Sequence, residues 1–301
     1  MVKRYKISRR FLIFWTLFIG IGAVAGAVCM LIKPDGTILG MQTMLPYFQV
    51  LPFAGVLFQN FVFSGIALLV VNGITNLTSA VLLIKNKKSG VITGTLFGIT
   101  LMLWITIQLV IFPVNFMSTS FFIFGFLQFL TGYICYVGYK QKEFSFNVTE
   151  YKNICKDKTK LVVYFSRMGY TKKVAYQTAD REHADIYELK TTERINGDLG
   201  FLWCGRFAMH RWGMNIENIL DIEKYEKIII CSSVWNFGIC SPIIEFCKKA
   251  KGKIKSFDLV SVHFLKAGYK SLPKKISTYL GIDCEKYESY SSHFGKFTKI
   301  L

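Results

Sequence analysis

Along its first 140 residues the chain keeps returning to long stretches without a single charge: Phe11–Ile32, Phe61–Ile84, Gly90–Phe112 and Phe121–Tyr139. Each comes close to the roughly 20 residues that carry a helix across a hydrocarbon core of about 30 Å. They predict four transmembrane helices. The first is too long for the apolar core of a signal peptide, and three more follow it. Near Lys140 the rhythm changes. Short β-branched and aromatic runs now alternate with charged helical stretches, the pattern of an α/β domain with a parallel sheet. The strands are expected at Leu161–Phe165, Ala184–Leu189, Glu226–Ser233, Leu259–Phe264 and Glu285–Ser291. Helices are expected at Lys172–Asp180, Pro242–Lys251 and Pro273–Leu280. The organisation is therefore a four-helix transmembrane domain over 1–140, a polar linker over 141–159 and an α/β domain over 160–301.

Charge sets the orientation. Lys3, Arg4, Lys6, Arg9 and Arg10 precede the first span, Lys85, Lys87 and Lys88 separate the second from the third, and Lys140 and Lys142 follow the fourth. Lys33 is the one basic residue in the first intervening loop, and Pro113–Ser120 has none. By the positive-inside rule this is a multi-pass cell-membrane protein with both termini in the cytoplasm. The formal net charge of +18 suits an anionic leaflet, and no nucleic-acid-binding signature accompanies it. The eight cysteines form no CxxC pair and no zinc spacing, so reduced, buried thiols are expected, with Cys204 the exception to watch. His183, His263 and His293 have no metal-ligand spacing, and no metal is expected.

Two features of the membrane half stand out. The Lys33–Asn60 loop is rich in Met, Leu and Phe, so it should lie in the interface or re-enter the bundle. Asn72, Asn76, Gln108 and Gln128 fall inside the spans, where an unpaired amide is costly, and they should face inward as helix–helix glue rather than line a transport path. Gly94 and Gly98 form a small-xxx-small pair that permits close helix approach.

The chemistry is concentrated after the first strand. Leu161–Phe165 runs into Ser166-Arg167-Met168-Gly169-Tyr170-Thr171 and then a helix. A strand, a hydroxyl-bearing Gly turn and a helix N-terminus make an anion site from converging N–H groups and the helix dipole. Lys172 and Lys173 in the first helical turn oppose that dipole, which makes sense beside a bound phosphate.

Tyr-Phe-Ser-Arg-Met-Gly-Tyr-Thr resembles the phosphate loop of the flavodoxin family, Ser/Thr-x-Thr-Gly-x-Thr, departing from it at Met168. The resemblance extends over most of 160–301, and Trp203–Trp212 (Trp-Cys-Gly-Arg-Phe-Ala-Met-His-Arg-Trp) is similar to a motif of flavodoxin-like proteins from Gram-positive bacteria. It implies a flavodoxin-like three-layer sandwich with strand order 2-1-3-4-5 and FMN at the carboxyl ends of the strands. The phosphate would be held by residues 166–171. The ring would be held by Val234, Trp235, Asn236, Phe237 and Gly238 after the third strand, with Trp235 or Phe237 stacking, and by Gly268 and Tyr269 after the fourth. Thr191–Lys224, with Cys204, Arg206, His210 and Arg211, would either shape a surface over the flavin or pack its aromatics on the sheet. The implied function is a membrane-tethered electron-transfer protein or oxidoreductase acting on a quinone or a redox protein. The competing expectation is a regulatory or scaffold module that keeps the fold without flavin.

Overall fold

The computed structural model describes residues 2–217 and 220–301, so positions 218 and 219 of the Thr191–Lys224 segment lie outside the described residues. The chain divides into two compact units, Met1–Glu143 and Phe144–Leu301.

In the first unit, α1 (Val2–Ile32), α2 (Val62–Ile84), α3 (Lys88–Ile111) and α4 (Phe116–Glu143) are each long and apolar enough to cross a membrane. Pro113 ends α3: it drives Phe112 into extended backbone, at ψ 154°. Within α2, Leu69–Ile74 loosens into a π-helical turn with Asn72 and Gly73 buried. Such a turn frees a carbonyl, and here the Asn76 side-chain amide donates to the Asn72 carbonyl at 2.9 Å. Gln128 of α4 then donates to Asn76 Oδ1 and to the Gly94 carbonyl of α3, both at 2.8 Å. Asn76 and Gln128 thus join three of the helices, whereas the buried side-chain amide of Asn72 meets no hydrogen-bond partner among the described residues. The Lys33–Asn60 loop folds into short helical turns whose side chains cap one end of the bundle. Phe48 stacks on Phe58 with ring centroids 5.1 Å apart and meets Phe112 edge-on at 4.9 Å.

The second unit is built on β1 (Asp157–Tyr164), α5 (Tyr170–Glu182), β2 (Ala184–Glu188), α6 (Gly197–His210), β3 (Lys227–Trp235), β4 (Gly238–Ile239), α7 (Ser241–Ala250), β5 (Ser256–His263), α8 (Leu272–Leu280), β6 (Cys284–His293) and β7 (Lys296–Lys299). Five strands lie parallel in the order β2-β1-β3-β5-β6, the spatial order expected. The sheet as a whole is mixed, however, with seven strands. β4 folds back antiparallel on β3, and β7 adds an antiparallel edge to β6. Both additions are two-strand hairpins closed by tight turns, and strands this short leave no apolar run for a sequence pattern to reveal.

Alternation along the strands builds two cores. Leu161 and Val163 of β1 join Ile228, Ile230, Leu259, Ile243 and Ile276 on the face covered by α7 and α8. Val162 and Tyr164 join Ile229, Val260 and the Val174–Ala179 stripe of α5 on the other. The stretch expected to be a free linker is docked. The Phe144 ring lies 4.6 Å from that of Tyr170, and Phe146 packs edge-on against Tyr151 and Tyr176.

One buried carboxylate ties the far edge together. Burial would push the Glu288 carboxyl upward, but the Tyr290 hydroxyl, Lys286, Arg181 and Lys299 hold it down at about 2. The unfolded chain would titrate this group near pH 4.3. Its contribution is therefore complete above about pH 4.3 and is lost as pH falls toward 2, amounting to about 2–3 kcal/mol. Glu288→Gln should lower the thermal midpoint at pH 7 and flatten its decline between pH 5 and about 2. A midpoint unchanged at pH 7 would contradict the assignment.

Candidate functional site

β1 delivers the chain to the carboxyl edge of the sheet, where residues 165–169 turn into α5. Gly169 immediately precedes the helix with φ +90°, a conformation that L side chains resist. The Ser166 hydroxyl accepts the Gly169 N–H at 3.0 Å, which fixes the turn, and Thr171 is buried in the first helical turn. The opening N–H groups of a helix have no carbonyl within it, so this left-handed turn is a ready concavity for an anion. Met168 and Tyr170 are half-buried along it. On the Cβ side of Gly169 stands Phe144: a methyl built there would lie 3.2 Å from the ring. The turn thus has one apolar wall.

The cations expected beside a phosphate are directed elsewhere. Lys172 pairs with Glu188 at 3.1 Å, and Lys173 lies over the Phe297 ring at 5.5 Å. Arg167 donates to the Ile195 carbonyl at 2.7 Å and the Gly197 carbonyl at 2.6 Å, with its guanidinium 5.4 Å from the Phe201 ring. A carboxylate, two carbonyls and aromatic faces are within reach of these side chains, and they take them.

The segment after β3 is not the open loop expected. Val234 pairs with Ile239 and Trp235 with Gly238, leaving Asn236 and Phe237 as a two-residue turn with φ +44° and +59°. Positive φ at both central positions is the hairpin geometry that continues strand twist. The structure nonetheless brings the three anticipated segments to one edge. Trp235 meets Phe165, at the root of the phosphate-type turn, edge-on at 5.8 Å. Phe237, 63% exposed, lies 6.4 Å from Tyr269 beyond β5. A half-buried indole therefore stands at the root of the Gly169 turn, and the Phe237–Tyr269 pair lies farther along the same edge.

His263, at the end of β5, was read from the sequence only as lacking metal-ligand spacing, and the structure gives it a different place. It is buried against Tyr269, with ring centroids 4.8 Å apart. Its Nδ1 bonds the Leu265 carbonyl, which can only accept, so Nε2 is the unprotonated nitrogen and accepts from Ser289 Oγ at 2.7 Å. Burial holds its pKa below the usual histidine value. Tyr287 continues this polar cluster, donating to the Tyr269 carbonyl at 3.2 Å. The cluster anchors the loop that carries Tyr269.

Within Thr191–Lys224, α6 touches the body through Gly200, Cys204 and Ala208. Cys204 is buried, and burial raises its pKa, so it is not the reactive thiol its neighbours suggested. His210 stacks on Trp212 at 4.4 Å. Arg211 grips the hairpin, donating to the Trp235 carbonyl at 3.3 Å and the Asn236 carbonyl at 2.6 Å. Gly238 leaves room for this grip, since a methyl there would displace the Arg211 guanidinium. Lys275 takes the Phe237 carbonyl at 3.2 Å. Beneath the hairpin, Arg211, Ile239, Ile244, Lys275 and Tyr279 enclose part of a cavity of about 320 Å³. Arg211→Gln should cost about 1 kcal/mol by removing its two exposed hydrogen bonds to the hairpin, read as a lower thermal midpoint and faster amide exchange at residues 234–239. Exchange unchanged from the parent would refute this clamp.

No family model and no curated protein matches the chain. Among solved structures it is similar to a flavoprotein from Lactobacillus acidophilus crystallised in complex with FMN, at 19% identity, covering 44% of this chain and 93% of that one, with a TM-score of 0.38. It is also similar to two proteins assigned as flavoproteins. One is from Bacteroides eggerthii (15% identity, 44% and 88% covered, TM-score 0.40) and the other from Bacteroides uniformis (19% identity, 46% and 94% covered, TM-score 0.39).

Proposed function

We propose that the α/β unit is a flavodoxin-like domain that holds FMN at the carboxyl edge of its sheet and passes electrons at the cytoplasmic face of a membrane that the four helices span. The observation that carries this reading is the left-handed Gly169 turn at the head of α5, on the same edge as Trp235, Phe237 and Tyr269. The fit is good on the phosphate side, where Gly169 has no Cβ, the Ser166 and Thr171 hydroxyls flank the turn and the helix dipole adds partial positive charge. Bound there, FMN would supply the redox chemistry, accepting and releasing electrons. The chain's part is to hold the phosphate on residues 166–171 and to confine the ring between Trp235 and the Phe237–Tyr269 pair. His263 keeps the Tyr269 loop in place.

The basic flanks of the spans support cytoplasmic termini, and tethering favours a quinone or a membrane-bound redox protein as partner. Residues 144–301 carry 26 Lys and Arg against 17 Asp and Glu. A net positive shell favours the anionic reduced flavin, so the fully reduced couple should lie above that of an acidic flavodoxin. A very low potential in spectroelectrochemical titration would count against this.

A second reading has its own support. Phe144 walls one side of the turn, Arg167 is turned away from it, and the hairpin offers no long loop to cover a ring. These favour a regulatory or scaffold module without flavin. Purification separates the two readings. Yellow protein that releases FMN on denaturation supports the first, and colourless protein that cannot be reconstituted with FMN supports the second.

A further inference from the structure

The residues of α6 are arranged inside out. The stripe facing the body is made of small side chains, Gly200, Cys204 and Ala208, spaced four apart. On the opposite face Leu199, Leu202, Trp203, Arg206 and Met209 follow the three-and-four spacing of a helical stripe, and all are exposed. Leu199 is 58% exposed, Leu202 66% and Met209 69%, and Trp212 just past the helix is 46% exposed. A helix that buries glycine and alanine while presenting leucine, methionine and tryptophan outward has an apolar face awaiting cover.

We propose that this face of α6 lies on the lipid surface of the membrane, with its apolar side chains at the headgroup–acyl boundary. Three observations select lipid over other occupants. Arg206 sits in the middle of the stripe, its guanidinium 5.7 Å from the Trp203 ring and 5.9 Å from that of Trp212. An arginine between two amphipathic indoles suits an anionic interface, where the cation meets headgroups and the rings sit at the boundary. A second copy docking across a two-fold axis through this stripe would instead set Arg206 against Arg206, a costly like-charge meeting. Finally, the basic α/β unit follows directly in the chain on α4, a helix long and apolar enough to cross a membrane, which would tether it to a bilayer.

The test uses the full chain reconstituted in vesicles that contain a photoactivatable phosphatidylcholine, with labelled peptides mapped by mass spectrometry. In phosphatidylcholine–phosphatidylglycerol vesicles the peptide over 197–212 should be labelled alongside the four spans. Leu199→Glu with Leu202→Glu and Met209→Glu should lower that labelling about tenfold or more while labelling of the spans is unchanged. Should the triple variant fail to fold, Arg206→Glu alone gives an independent reading, with labelling of 197–212 falling several-fold. Vesicles of phosphatidylcholine alone should give the same several-fold fall with the parent chain. An unlabelled 197–212 peptide in anionic vesicles, labelling indifferent to these substitutions, or a copy-to-copy cross-link through Leu202 would overturn the proposal.

Discussion

Gly169→Val should yield a protein that is folded but no longer retains FMN, with affinity lowered at least about 100-fold, or close to 3 kcal/mol. Gly169 sits at φ +90°, where a side chain costs about 1–2 kcal/mol and a β-branched one more. The new Cβ would also stand 3.2 Å from the Phe144 ring, so either that ring gives way or the turn opens. Opening the turn rotates the N–H groups out of the arrangement that would grip a phosphate. The strain is local, because the two cores lie on the faces of the sheet and not in the turn. Fluorescence titration with FMN measures the affinity, and far-ultraviolet circular dichroism measures the fold. Undiminished retention would mean that the phosphate is not held at this turn.

Gly98→Val should damage the first, four-helix unit severely, and Gly94→Ala should scarcely affect it. A Cβ at Gly98 would lie 2.6 Å from the Phe129 nitrogen and 2.8 Å from the Gly125 carbonyl oxygen. Both are backbone atoms, so α3 and α4 must separate. Separation also pulls Gln128 away from Asn76 and from the Gly94 carbonyl. Overpacking of this kind costs about 3 kcal/mol, and among spans the loss of close contact removes the main source of association. At Gly94 the nearest atoms to a new Cβ are side-chain carbons of Leu12 and Thr16 at 3.4 Å, an ordinary contact. The thermal midpoint of the detergent-solubilised protein should fall by roughly 6–12 °C for Gly98→Val. Equal midpoints for the two variants would refute the α3–α4 packing described above.

These two glycines show where sequence reading stops. Four residues apart in one apolar run, they form a single small-xxx-small pair, and nothing local ranks them. Only the approach of α4 makes one indispensable and leaves the other with room. The cations of the anion turn carry the same lesson. Lys172 and Lys173 stand in the first turn of α5 and were expected beside a phosphate, yet Glu188 of β2 claims one and Phe297 of β7 the other. Both partners are far away in the chain. The hydrogen bonding of His263 was hidden for the same reason, since Ser289 reaches it from a neighbouring strand.

What the sequence determined by itself was whatever depends on local pattern. The four long apolar helices follow from the length of uncharged runs, the five parallel strands from β-branched runs, and the turn at Gly169 from a residue that tolerates positive φ. Strand order came instead from the resemblance of the Ser166–Thr171 turn to the flavodoxin family and not from any local pattern. Tertiary structure alone decided which side chains meet. It folded the loop after β3 into a hairpin held by Arg211, seated Phe144 against Gly169, and turned the leucines of α6 outward. The physical reason is range: backbone preference and hydrophobic period are written within a few residues, whereas a hydrogen bond or an apolar contact is settled by whatever distant segment packing brings within about 4 Å.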